Sequence, residues 1–246
     1  MGTDPSDGKR AFAMIFRIDP TIFEAFPGLH IGVVHAKGVN NSVQCPDLAE
    51  KIQKIQKDIR SHLDIGMLAE HPKIQSWRSA YSLFGAKPKK HRSSVENLYR
   101  MTFEGKNLRS INRIVDIYNC VSLKHMIPVG GDDLSRVDGD IILRFATGDE
   151  PFYPLGSDEA QTARKGEVIY ADEKEVLCRR WNWRECEKTK MTEETQDMLL
   201  VAEGLPPVTE EEMQHVITDL ERLILEYCGG ETQVGVLGVA RNQWRL

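Results

Sequence analysis

Helical and strand periodicities occupy different parts of this 246-residue chain. Leu48, Ile52, Ile55, Ile59 and Leu63 recur at steps of three and four with charged residues between them, the spacing of one buried helix face. From about residue 138 the apolar residues instead form short runs broken by Gly, Asp and Pro, as β-strands do. Elements that segregate in this way make an α+β fold rather than an alternating α/β one.

Further helices follow the first. Ile74, Trp77, Tyr81 and Phe84 share a face, with Gly85 placed to stop the helix. Ser93 and Glu96 form a capping box ahead of Val95, Leu98 and Phe103, and Ser110 is positioned to cap a helix carrying Ile111, Ile114, Val115, Tyr118 and Val121. A second box, Thr209 and Glu212, opens a long helix that ends at Gly229. Strands are expected at 12–18 and 29–34, and again at 140–146, 152–155, 167–171, 176–183 and 198–202. Residues 1–10 read as a loose polar tail and 11–246 as one domain, since no glycine-rich linker divides it.

The longest apolar run is far short of the roughly 20 residues that a membrane-spanning helix needs. Five scattered cysteines, without a Cys-x-x-Cys pair and with no signal-peptide layout ahead of them, suggest reduced thiols and a cytoplasmic, monomeric protein. Neither they nor the seven dispersed histidines show metal-ligand spacing, so no metal or other cofactor is expected. The chain also lacks Gly-x-Ser-x-Gly, a phosphate loop and Gly-x-Gly-x-x-Gly, which removes sequence support for the enzyme classes that depend on them.

Charge is polarised. Lys87, Lys89, Lys90, Arg92, Arg100, Lys106, Arg109 and Arg113 face only Glu96 and Glu104 within 87–113, a local balance of +6 in a chain of net charge −5. Such a segment either forms an ordinary solvated surface or presents a basic face to a polyanion, with Lys87, Lys89, Lys90 and Arg92 as the phosphate-contacting candidates. A second cluster, Arg179-Arg-Trp-Asn-Trp-Arg184, lies in a segment that reads as a strand. Alternation would put Arg180, Asn182 and Arg184 on one face, to meet an anion or polar pocket, and the tryptophans on the other.

The strings Ser110-Ile-Asn-Arg-Ile-Val-Asp-Ile-Tyr-Asn119, Pro128, Gly139-Asp-Ile-Ile-Leu-Arg-Phe-Ala146 and Val168-Ile-Tyr-Ala-Asp172 are similar to the tRNA-editing domain of the phenylalanyl-tRNA synthetase beta subunit, over about residues 75–205. With Phe84-Gly-Ala-Lys-Pro-Lys-Lys90, Arg92-Ser-Ser-Val95, Pro128-Val-Gly-Gly131 and Leu177-Cys-Arg-Arg-Trp-Asn-Trp-Arg184, the chain resembles the free-standing form of that domain.

This resemblance implies mixed β-sheets layered against helices and a tRNA or aminoacyl-tRNA partner. It also implies hydrolysis of a wrongly attached aminoacyl ester by a positioned water, without a protein nucleophile. In the synthetase pattern a histidine follows the proline by two residues, where this chain has Gly130, and a glycine-rich strand stands where this chain has Arg180 to Arg184. Counting back from Glu194-Thr-Gln196, the synthetase's pocket glutamate falls on Glu187. These residues suggest a bulkier, more cationic pocket, with Asn182 as catalytic donor and Arg180, Arg184 and Glu187 binding substrate. The alternative is a binding module that kept the pocket without the hydrolase activity.

Overall fold

The structure, a computed structural model, describes residues 14–42, 45–106 and 108–246. The expected tail at 1–10 and the first two residues of the strand expected at 12–18 lie outside the described residues.

The chain opens with β1 (Ile15–Ile18), the short helix α1 (Pro20–Ala25) and β2 (His30–Lys37). Four helices follow: α2 (Pro46–His62), α3 (Pro72–Leu83), α4 (Ser94–Phe103) and α5 (Arg113–His125). Then come β3 (Val129–Asp133), β4 (Ile141–Phe145), β5 (Pro151–Phe152), β6 (Gln161–Thr162), β7 (Val168–Ala171), β8 (Val176–Arg179), β9 (Arg184–Glu185) and β10 (Asp197–Gly204). The last elements are α6 (Glu210–Tyr227), β11 (Glu231–Leu237) and β12 (Gln243–Arg245).

Two main sheets result. One runs β12-β1-β4-β7-β8-β9, mixed because β1 pairs parallel with β4 and the other pairs are antiparallel; the second, β11-β2-β10-β3, is antiparallel throughout. Helix α6 packs on β2 and β11, and α5 links it to α2. The fold is therefore α+β with mixed and antiparallel sheets against helices.

Local chemistry explains most element starts. Pro46 sits in the first turn of α2, where a missing N–H costs nothing, and Leu48, Ile52 and Ile59 are buried. The Ser93 and Thr209 hydroxyls accept from the amides of Glu96 and Glu212. Only half of each expected capping box forms, because the glutamates turn elsewhere: Glu96 to Arg78 and Arg100, and Glu212 to Lys73. Helix α5 is capped by Asn112, which accepts from Val115 N at 3.0 Å, and not by Ser110. The Ser110 hydroxyl donates instead to Asp116, and Ile111, expected on the buried face, is exposed.

Candidate functional site

The segment expected to run as a strand over 176–183 does not. β8 ends at Arg179, the chain turns, and β9 returns. Arg180 and Trp181 adopt positive φ, 46° and 66°, a conformation that costs non-glycine residues of order 1–3 kcal/mol and persists only where the surroundings enforce it. Here two anchors do so. The Trp181 ring is fully buried, edge-on to Trp77 at 5.0 Å and to Phe26 at 4.7 Å. The Arg180 guanidinium reaches Glu167 at 3.0 Å, the same carboxylate that Arg179 grips with two 2.9 Å bonds.

The turn cancels the expected alternation, so Arg180, Asn182 and Arg184 do not share a face. Arg180 lies behind the turn and over Trp183, 4.4 Å from its centroid. Arg184 is exposed at the other end.

Between the turn and strands β3 and β10 of the antiparallel sheet lies a cavity of about 300 Å³. Val129 to Asp132 of β3 and Leu199, Val201 and Glu203 of β10 form one wall; Trp181 to Glu185 form the other, with Tyr170 and Cys178 between. A Cβ on Gly131 would stand 2.2 Å from the Leu199 carbonyl oxygen, so only glycine lets β3 lie this close to β10. At Gly130, the position where the synthetase pattern has histidine, a Cβ would stand 3.2 Å from Glu185 Oε1. The carboxylate occupies the direction that a side chain would take.

Three acids, Asp132, Glu185 and Glu203, line this cavity, with Arg184 as the basic residue among its lining. Glu203 is 2% exposed; its Oε1 accepts from Tyr170 Oη at 2.5 Å and its Oε2 from Asn182 Nδ2 at 2.6 Å. Burial pushes it up to about 7 against the pull of those bonds. Asp132 accepts from Thr189 Oγ1 at 2.5 Å and is raised to about 6, chiefly by burial. Glu185 is raised to about 7 by burial and then by the charge on Asp132, and among the described residues no donor reaches its carboxylate. Burial also drives the Cys178 thiol well above its ordinary value, which leaves it a poor nucleophile.

Of the residues singled out in the sequence, Asn182 and Arg184 line the cavity. Asn182 is already engaged, its Oδ1 accepting from Tyr81 Oη at 2.9 Å and Ser94 N at 3.3 Å. Glu187 lies outside the lining, where it accepts from Gly156 N at 2.8 Å and pairs with Lys190. Lys87, Lys89 and Lys90 are exposed between α3 and α4. Lys90 and Arg92 border a second cavity that shares Ser94, Val129, Trp183 and Glu185 with the first. Sequence reasoning missed Asp132 and Glu203, and left Glu185 out of the site residues although it begins the dense run of charges after Arg184. Glu203 had a local signal, an acid continuing an apolar strand beyond Ala202. No group of His, Cys, Asp and Glu among the described residues is arranged to hold a metal, and no described helix is long and apolar enough to cross a membrane.

Mixed and antiparallel sheets, a helical layer and an acid-lined cavity define the class as an α+β domain with a candidate binding cavity. Its family is the B3/4 domain: that family matches residues 76–229, more than half of the chain, and the chain belongs to it. The phenylalanine–tRNA ligase beta subunit of Shewanella oneidensis is 29% identical over 147 residues, covering 50% of this chain and 18% of the ligase subunit. That of Colwellia psychrerythraea is 38% identical over 69 residues, 28% of this chain and 8% of the subunit. The chain thus spans less than a fifth of the length of these curated relatives. An N-terminal fragment of the phenylalanyl-tRNA synthetase beta-subunit from Pyrococcus horikoshii superposes with a TM-score of 0.38 at 13% identity, covering 84% of this chain and 48% of the fragment.

Proposed function

We propose that this protein binds the aminoacyl end of a charged tRNA and hydrolyses the ester when the amino acid is wrong. The observation that carries the reading is an acid-lined cavity beside a second one, sharing four lining residues with it, that Lys90 and Arg92 border. An aminoacyl ester brings an ammonium group and a small side chain, which the cavity carboxylates and the Val129, Leu199, Val201 and Trp183 surfaces suit. Its tRNA brings phosphates, for which Lys87, Lys89, Lys90 and Arg92 supply charge. Such a substrate assigns the protein to the cytoplasm.

In hydrolysis, water adds to the ester carbonyl while its proton passes to a base, and the carbon–oxygen bond to the ribose then breaks as the base returns that proton to the departing terminal hydroxyl. Glu185, raised to about 7, takes that proton with little mismatch near neutral pH. Asn182 Nδ2 spends one hydrogen on Glu203 and turns the other, with Arg184, toward the developing oxyanion. Asn182 therefore serves the reaction partly by positioning.

The second reading, binding without hydrolysis, draws on that same engagement of Asn182 and on Gly130 in place of histidine. Equilibrium binding of tRNA carrying an amide-linked, uncleavable amino acid, compared with uncharged tRNA, tests the shared claim. Tighter binding of the charged form supports both readings; equal affinity removes the cavity from tRNA recognition.

A further inference from the structure

The second cavity has a composition unlike the first. Its volume is about 290 Å³, and Lys90, Arg92 and Ser94 line it together with Asn97, Tyr118 and Asn119. Two donors near it are buried without a hydrogen-bond partner, Arg92 Nε and Ser94 Oγ. Such groups are costly to leave unpaired.

Arg92 is also only loosely paired, within salt-bridge range of Glu96. Glu96 Oε1 stands 3.8 Å from its Nε, beyond hydrogen-bond reach. That carboxylate already receives Arg78 through bonds of 3.0 and 2.7 Å and Arg100 through one of 2.8 Å. Three guanidiniums thus surround one carboxylate, and the surplus is positive beside the exposed Lys90. Glu185 is the single acid among the lining residues, and it stands in the wall shared with the first cavity. There its partial protonation near neutral pH, or an ammonium bound beside it, limits repulsion of an anion.

We propose that the second cavity is a phosphate site, so that the two cavities together take one aminoacylated nucleotide, the amino acid in the first and the phosphate in the second. This rests on the aminoacyl reading above and extends it. The four lining residues that the cavities share make them immediate neighbours, the placement that one ligand bearing an ammonium and a phosphate requires. Two sources carry that chemistry: the terminal nucleotide of an aminoacyl-tRNA, and a free aminoacyl adenylate.

Calorimetry with stable mimics tests it. The first probe is 3′-alanylamido-3′-deoxyadenosine with and without its 5′-phosphate, alanine being small enough for the cavity whatever side chain it prefers. The second is the aminoalkyl ester of AMP corresponding to alanine. Wild-type protein should bind the phosphorylated 3′-amide about tenfold or more tightly than its phosphate-free form. Arg92→Gln and the solvent-facing Lys90→Gln should each cut that ratio to about twofold or less, while Lys165→Gln, an exposed residue that lines neither cavity, keeps it. Lys90→Gln carries the test if Arg92→Gln melts early. Preference for the 3′-amide assigns the phosphate to tRNA, and preference for the AMP ester assigns it to a free adenylate; either supports the site. Equal binding of the 3′-amide with and without phosphate, together with no binding of the AMP ester, overturns the phosphate site and leaves the aminoacyl reading standing. Binding of none of the three overturns both.

Discussion

Asn182 Nδ2 donates to Glu203 Oε2 at 2.6 Å, tying a left-handed turn of the mixed sheet to the end of β10 in the antiparallel one. The Asn182 carbonyl extends the link to Tyr81 on α3. Asn182→Ala would strip one donor from a buried carboxylate and leave the Tyr81 hydroxyl without its acceptor. The variant should lose about 1–3 kcal/mol of stability in urea melts, and ligand affinity should fall further than the folded fraction does. Unchanged melts with normal binding would remove Asn182 from both roles.

The two adjacent arginines and their neighbour at 184 should separate cleanly. Glu167 is buried between Arg179 and Arg180, so Glu167→Ala leaves two buried guanidiniums unpaired and should cost about 3–5 kcal/mol. Arg184 is exposed, and Arg184→Ala should change stability by no more than about 0.5 kcal/mol. Thermal melts of both variants check this, and a large loss for Arg184→Ala would contradict the placement of the turn.

Glu185 gives the protein a pH signature. Its folded value of about 7 lies above its ordinary 4.5, so the folded state keeps a proton that the unfolded chain has already lost. Stability from this group is therefore present below about 4.5, declines as pH rises to about 7 and stays low above it. Glu185→Gln should match wild type near pH 4.5 and exceed it at pH 8, the difference growing by up to ~1.4 kcal/mol per unit between. Urea midpoints across that range provide the check. A constant difference would mean that Glu185 ionises in the fold as it does in water.

For the basic loop, replacing Lys87, Lys89 and Lys90 together by Ala should weaken tRNA binding and make its salt dependence shallower, by up to ~0.9 in the log–log slope for each phosphate no longer neutralised. The three side chains are exposed, so stability should hold. An unchanged slope would move the tRNA to another face.

Much of this architecture is legible in residue order. The steps from Leu48 to Ile59, the Ser93 and Thr209 caps and the apolar run at 198–202 each carry a local signal that the fold obeys. The failures have physical causes. An alternating Arg-Trp-Asn-Trp-Arg string reads as a strand, but burial of Trp181 against Trp77 and Phe26 holds the chain in a left-handed turn that local pattern does not encode. Gly130-Gly-Asp-Asp133 carries no apolar alternation and is not among the expected strands, yet it belongs to β3 because β10 pairs along it. β11 and β12 follow the helix expected to end the pattern, and partners far away in sequence, β2 and β1, define them. Asp132, Glu185 and Glu203 come from three separate strands, so their convergence exists only after both sheets have packed. Counting back along the chain puts the pocket glutamate at Glu187, two residues from the Glu185 that lines the cavity.

Single-turnover deacylation of a panel of mischarged aminoacyl-tRNAs, one for each amino acid, by wild-type protein and by Glu185→Gln at pH 7.5 tests ester hydrolysis at this cavity most directly. Wild type should accelerate loss of at least one aminoacyl group by about 100-fold or more over the spontaneous rate, and Glu185→Gln, folded as judged by its melt, should lose most of that acceleration. No acceleration of any ester would contradict hydrolysis and leave binding alone; equal rates for the two proteins would contradict the assignment of the base.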